Sequence, residues 1–227
     1  MSAASSVFAI RPVRSKEDLS AAIALIKAYT GGLGIDLSYQ DFEAEMACMP
    51  GSYSPPFGEL LIAVANQQEK EASQTPDDTP QTLGCIALRE LHLHGHGNIH
   101  GRVIPVQPPA QEEEASRVTS QLHVGPVGEA DDGKAPGPTT RKPDTKYCEL
   151  KRLYVTPAAR GLGVGKALVN SMLTVAYRIG YEEVRLDTLS EMREAIALYK
   201  GLGFGAVEKY YERAIEGTVF LGLKLLQ

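Results

Sequence analysis

The segment Arg160-Gly161-Leu162-Gly163-Val164-Gly165-Lys166 sets three glycines directly ahead of a helical apolar pattern. Glycine lets a backbone approach a ligand without a Cβ clash, and several N–H groups converge where such a turn enters a helix. The helix dipole adds about half a positive charge at that end, so the chemistry of this turn is the binding of a phosphate or diphosphate. Residue spacing narrows the choice. A Walker A loop needs glycine where this chain has Arg160 and a hydroxyl where it has Ala167. A Rossmann fingerprint needs glycine at the position of Lys166. Taken alone, the turn leaves nucleotide, dinucleotide and coenzyme A open.

The elements that must hold this turn are readable. Residues 7–13 form a first strand, and Ser15 ahead of Glu17, Asp18, Leu19, Ala22, Ile23 and Ile26 caps an amphipathic helix that Gly31-Gly32 stops. Residues 39–49 read as a second short helix, and residues 59–65 as a buried strand closed off from the next, 83–91, by a polar hairpin connection over 66–81. Residues 92–146 hold seven prolines and seven glycines and predict a disordered insertion. An insertion of that length is thermodynamically tolerable, because closure entropy grows by only about 0.6 kcal/mol per doubling. A strand over 147–155, a helix over 163–179 and a strand over 183–187 follow. Ser190 then caps a helix that ends at Gly201 and Gly203, and an antiparallel pair over 206–211 and 218–225 closes the chain. Interleaved strands and helices predict an α/β fold built on a mixed sheet.

Arg160-x-x-Gly163-x-Gly165 resembles the acetyl-CoA motif of the GNAT superfamily of N-acetyltransferases. Glu149-Leu150-Lys151-Arg152-Leu153-Tyr154-Val155, Leu186-Asp187-Thr188-Leu189 and Ala197-Leu198-Tyr199-Lys200-Gly201-Leu202-Gly203-Phe204 are similar to that family's strand four, strand five and following helix, in order. In the first half, Gln40-Asp41-Phe42-Glu43 with Glu45, and Gly84-Cys85-Ile86-Ala87-Leu88, resemble a subgroup of small-molecule acetyltransferases. The resemblance implies one domain with about seven strands and four helices. The segment over 92–146 departs from the family, where strands three and four join by a short turn.

The same resemblance implies roles. Leu153, Tyr154, Val155, Arg160, Gly161, Leu162, Gly163, Val164, Gly165, Lys166 and Tyr199 would contact acetyl-CoA, the backbone N–H of Leu153 serving the oxyanion. Glu149, eleven residues before Arg160, is the candidate general base for an amine, directly or through water, and Tyr199 the candidate acid for the departing thiolate. Apart from the resemblance, Lys151 and Arg152 could supply a cation for a carboxylated acceptor such as an amino acid, but strands expose basic side chains routinely, which is the favoured reading of both. The acceptor is expected to be a primary amine of a small molecule. A protein N-terminal or lysine acetyltransferase, and an acyl-CoA-binding module without turnover, are the alternatives.

Composition excludes other classes. With 23 Lys and Arg against 28 Asp and Glu, a net charge of −5 gives no electrostatic footprint for nucleic acid or anionic membranes. No run of about 18 apolar residues predicts a membrane span, and the first ten residues lack a basic, then apolar, leader. Cys48, Cys85 and Cys148 are odd in number and widely spaced, as reduced thiols of a cytoplasmic protein would be. His92, His94, His96 and His100 alternate like metal ligands but lack a cysteine or ordered acid at ligand spacing, so no metal is expected. The chain is expected to act as a monomer or homodimer.

Overall fold

A computed structural model describes residues 7–33, 42–66, 81–93 and 145–226. It contains one seven-stranded mixed sheet and four α-helices: β1 (Phe8–Pro12), α1 (Lys16–Leu33), α2 (Phe42–Ala47), β2 (Glu59–Ala65), β3 (Thr82–Leu91), β4 (Tyr147–Val155), α3 (Val164–Ile179), β5 (Glu183–Leu189), α4 (Arg193–Gly201), β6 (Gly205–Ala206) and β7 (Thr218–Lys224). Strand order is β1-β2-β3-β4-β5-β7-β6, antiparallel except for the β4–β5 pair. The expected architecture stands. Most of the residues assigned by sequence to the 66–81 connection and the 92–146 insertion lie outside the described residues.

Burial on both faces explains why β2 and β3 read as nearly continuous apolar runs. Leu61, Ala63, Ile86, Leu88, Cys148, Leu150, Val184, Leu186 and Leu221 meet Leu168, Val169, Met172 and Ala176 of α3 on one face. Leu60, Ile62, Val64, Cys85 and Ala87 meet Ala22 and Ile26 of α1 and Phe42 and Met46 of α2 on the other. Period-2 alternation along β4 therefore sends Cys148 and Leu150 towards α3, and Glu149 and Lys151 towards the opposite face.

Several boundaries differ from the sequence reading. Ser15 does cap α1, its Oγ accepting from the Asp18 N–H at 3.1 Å, but the helix continues past Gly31 to Leu33, since a glycine there costs only about 1 kcal/mol. Ser190 makes no cap: α4 begins after Met192, which offers no side-chain cap bond. The strand expected over 206–211 ends at Ala206. Adjacent residues of a strand face opposite sides, whereas Tyr210 and Tyr211 both lay their rings on Phe220, 5.0 and 5.2 Å between centroids. That shared seat requires the chain to leave the ladder.

Candidate functional site

Backbone pairing between β4 and β5 covers only Tyr147–Glu149 against Glu183–Arg185. Beyond that point the strands part, although β4 continues to Val155 and β5 to Leu189. On the other edge of β4 a bulge interrupts its ladder with β3: Cys85 faces Tyr154 and Ala87 faces Lys151, leaving Arg152 and Leu153 opposite Ile86. Arg152 takes a φ of 58°, a left-handed conformation that costs an L-residue roughly 1–2 kcal/mol. The bulge turns Arg152 to the same face as its neighbour Lys151, where it bonds Glu45 of α2 and lies 5.1 Å from the centre of the Phe42 ring.

Three carboxylates on this face are each met by a cation and a phenol, while a fourth, Glu183, pairs with its strand neighbour Arg185 at 2.7 Å. Glu149, 1% exposed, receives Arg89 on Oε2 at 2.8 and 2.9 Å and the Tyr210 hydroxyl on Oε1 at 2.9 Å. Asp187 receives Lys151 Nζ at 2.9 Å and the Tyr211 hydroxyl at 3.0 Å. Glu45 receives Arg152 and the Tyr53 hydroxyl, the latter at 2.9 Å. Lys151 Nζ also stands 3.9 Å from Glu149 Oε1, which joins two of the units.

Burial acts to raise the Glu45 and Asp187 carboxyls, but the cations and phenols bonded to them outweigh it and hold both below their ordinary values. Burial likewise works against the Lys151 ammonium, and Asp187 with Glu149 reverses the balance and keeps it firmly protonated. Tyr210 moves far upward, through burial first and then Glu149 and Asp187. Burial pushes Tyr53 up to about 12.

At the parted end, Tyr29 of α1 sits 5.4 Å from the Tyr154 ring and donates to Met192 Sδ at 3.3 Å. Thr188 of β5 also reaches that sulfur, at 3.6 Å. Tyr199 of α4 is 6% exposed, packs edge-on against Phe204 at 5.5 Å, and is held above its ordinary pKa chiefly by burial, then by Tyr29 and Asp187. Among the described residues its hydroxyl has no hydrogen-bond partner.

The glycine turn follows β4 through a 3-10 turn, Pro157–Ala159. Gly161 and Gly163 both adopt a φ of 80°, and a Cβ on either would meet nothing within 4 Å. Gly165 differs, since its Cβ would touch Leu198 at 3.5 Å and Val155 at 3.6 Å. The helical ladder begins with the Ala167 N–H on Gly163 O at 3.0 Å, so the first-turn N–H groups of Val164, Gly165 and Lys166 lack acceptors inside the helix. Arg160, Leu162 and Lys166 are exposed around them. Nearby, Thr156 Oγ1 is buried without a partner. An open rim of N–H donors with an unpaired hydroxyl beside it fits the diphosphate end of coenzyme A.

The fold thus brings the glycine turn and residues 153–155 onto one strand end, with Tyr199 across the gap and Glu149 at the point where the strands part. Lys151 and Arg152, read from the sequence chiefly as routinely exposed strand cations, are instead nearly enclosed and bonded to Asp187 and Glu45, which leaves neither charge open to a substrate carboxylate. Sequence reasoning missed Arg89, Tyr210, Tyr29 and the pairing of Glu45. The doublet Tyr210-Tyr211 in an otherwise polar stretch was the available signal. Cys85 and Cys148 are buried free thiols, Cys85 pushed up to about 12 by burial.

Among the described residues no group of three or more His, Cys, Asp or Glu side chains stands ready to hold a metal, and His94, His96 and His100 lie outside them. No described helix is long and apolar enough to cross a membrane.

The model of the acetyltransferase (GNAT) family matches residues 123–204. The chain is 28% identical over 216 residues to an uncharacterized N-acetyltransferase of Schizosaccharomyces pombe, covering 95% of this chain and 94% of that one. A second, from Dictyostelium discoideum, is 28% identical over 226 residues and is covered over 99% of its length, with 95% of this chain. Among solved structures, a GNAT-family acetyltransferase from Staphylococcus aureus Mu50 superposes with a TM-score of 0.57 at 14% identity, over 96% of this chain and all (100%) of that one. A chain of the NatC complex, solved bound to Gag peptide and CoA, gives 0.52 at 20% identity, over 96% and 99%. These last two likenesses concern the fold.

Proposed function

Because the chain belongs to the GNAT superfamily of N-acetyltransferases, we propose that it transfers an acetyl group from acetyl-CoA to a primary amine of a small molecule. One observation carries this reading. The strand whose pairing partner departs after Glu149 is the same strand that delivers the glycine turn, so a nucleotide anchor and an interstrand opening for an acyl group share one axis.

In this reading Arg160 and the N–H groups of Gly161, Gly163, Val164, Gly165 and Lys166 hold the diphosphate, the Leu162 N–H being bonded to Ala159 O at 3.4 Å, and residues 153–155 line the pantetheine path. Bound acetyl-CoA supplies an acyl carbon activated as a thioester. The Leu153 N–H, freed from regular pairing by the Arg152 bulge, serves as the oxyanion donor. Glu149 accepts the amine proton, and Tyr199, kept protonated by its burial, donates one on the leaving side.

Release of free CoA from acetyl-CoA, measured against small amines, amino acids, aminoglycosides and N-terminal peptides, tests the proposal. Amine-dependent thiol release with a small acceptor is the expected result. Preference for peptides would make the chain a protein acetyltransferase, and CoA binding without release for any amine would make it a binding module.

A further inference from the structure

We propose that Tyr210 is a catalytic proton relay, through which an acceptor ammonium loses its proton to the buried Glu149. The inference rests on the N-acetyltransferase reading above. Glu149 is 1% exposed, too enclosed for an acceptor to reach directly. Its Oε2 is taken by Arg89 of β3, while Oε1 receives the Tyr210 hydroxyl at 2.9 Å. Tyr210 keeps partial exposure where Glu149 has almost none, and its hydroxyl is the group that covers Oε1.

The ring is fixed for that task. It packs on Phe220 at 5.0 Å and on Tyr211 at 5.5 Å, with the Arg185 guanidinium 5.7 Å from its centre. The charged groups around it are Arg89 from β3, Glu149 and Lys151 from β4, Arg185 and Asp187 from β5, and Tyr211 beside it. Burial and the two carboxylates keep the phenol protonated, which suits a group that passes protons rather than one that stores them. Tyr211 is committed to Asp187.

An alkylamine with a pKa of about 10 arrives at neutral pH as an ammonium with no free lone pair. One ammonium N–H bond breaks as its proton moves to Tyr210 Oη, while the phenolic O–H bond breaks as its proton moves to Glu149 Oε1. The products are a neutral amine with its lone pair free, an unchanged phenol and a protonated Glu149. The proton later returns to solvent by the reverse path, and no electrons change hands.

Tyr210→Phe removes the relay oxygen and keeps the ring on Phe220. In the full chain at neutral pH, kcat/KM for alkylamines is expected to fall about 100-fold. The deficit should shrink to roughly threefold or less for primary amines of pKa near 7, which reach the site already neutral. Glu149→Gln should show the same dependence on amine pKa, and the double variant should be no worse than the poorer single one, as for groups acting in one unit. A deficit equal for every amine would assign Tyr210 a packing role and overturn the relay, as would near-wild-type activity with alkylamines. Calorimetric CoA binding by Tyr210→Phe verifies that it folds. If it does not fold, the wild-type protein decides: two protons moving together give a curved rate profile in mixed H2O and D2O, and a linear one overturns the relay. Absence of amine-dependent CoA release by the wild-type chain would instead remove the N-acetyltransferase reading itself.

Discussion

Lys151 Nζ lies 2.9 Å from Asp187 Oδ1, and the two residues are where β4 and β5 would next pair on this face had their ladder not ended at Glu149 and Arg185. A side-chain ion pair thus takes over where the backbone bonds stop, tying the two strands across the gap without closing it. Both side chains are nearly enclosed, at 11% and 12% exposure.

Removing one partner of such a pair leaves the other charge buried. Asp187→Ala should therefore lose about 3 kcal/mol of stability, softened by the proximity of Lys151 to Glu149. Replacing both residues with apolar ones, Lys151→Met with Asp187→Leu, should recover most of that loss. Urea denaturation of the parent and the two variants checks this, and an Asp187→Ala protein as stable as the parent would mean the pair does not hold the strands.

Acid should loosen the same face. Glu45 and Asp187 both have folded-state pKa values below their ordinary 4.5 and 3.8. The unfolded chain therefore binds more protons than the folded one as pH drops past those values. Their contribution is fully present above about pH 5 and fades as pH falls through about 4 and below. Urea midpoints measured from neutral to acid pH should decline in that window, and Glu45→Gln should flatten part of the slope.

The glycines of the turn should separate by role. Gly163 holds a φ of 80° in open space, so alanine there meets no atom but strains the backbone by roughly 1–2 kcal/mol. Gly163→Ala is expected to weaken CoA binding at least tenfold while the fold persists. Gly165 lacks that conformation, and its Cβ would rest on Leu198 and Val155 at ordinary contact distance. Gly165→Ala should retain binding. Calorimetry with CoA distinguishes the two, and equal losses would contradict the assignment of the N–H rim.

Legibility in the sequence followed locality. β2 and β4 were read to the residue because Glu59–Ala65 and Tyr147–Val155 are bounded by turn signals, and α3 to within one residue because Val164, Leu168, Met172 and Val175 repeat at helical spacing. The glycine turn was visible for the same reason. The bulge at Arg152 was not, since arginine carries no sign of a left-handed φ; only the pull of Glu45, 107 positions away, explains it. Tyr210 escaped because alternation assigned it to a strand, while its true constraint is the side of Phe220 it shares with Tyr211. Glu149 was found as a candidate, but its enclosure by Arg89 and Tyr210 depends on contacts 60 and 61 residues distant.

Tyr199 offers a last separation of packing from chemistry. Its ring is seated against Phe204 at 5.5 Å, so Tyr199→Phe preserves the apolar contact and deletes only a hydroxyl without a hydrogen-bond partner among the described residues. Stability should change by less than about 1 kcal/mol. If that hydroxyl protonates the leaving thiolate, kcat should fall about 100-fold while CoA affinity changes little. Burial holds the phenol above its ordinary pKa of 10.0, so the donor stays protonated through neutral and mildly alkaline pH. The wild-type rate should accordingly show no alkaline limb from Tyr199 below about pH 10. Initial rates of CoA release across that pH range, for parent and variant, measure both effects, and unchanged turnover in Tyr199→Phe would remove this residue from the mechanism.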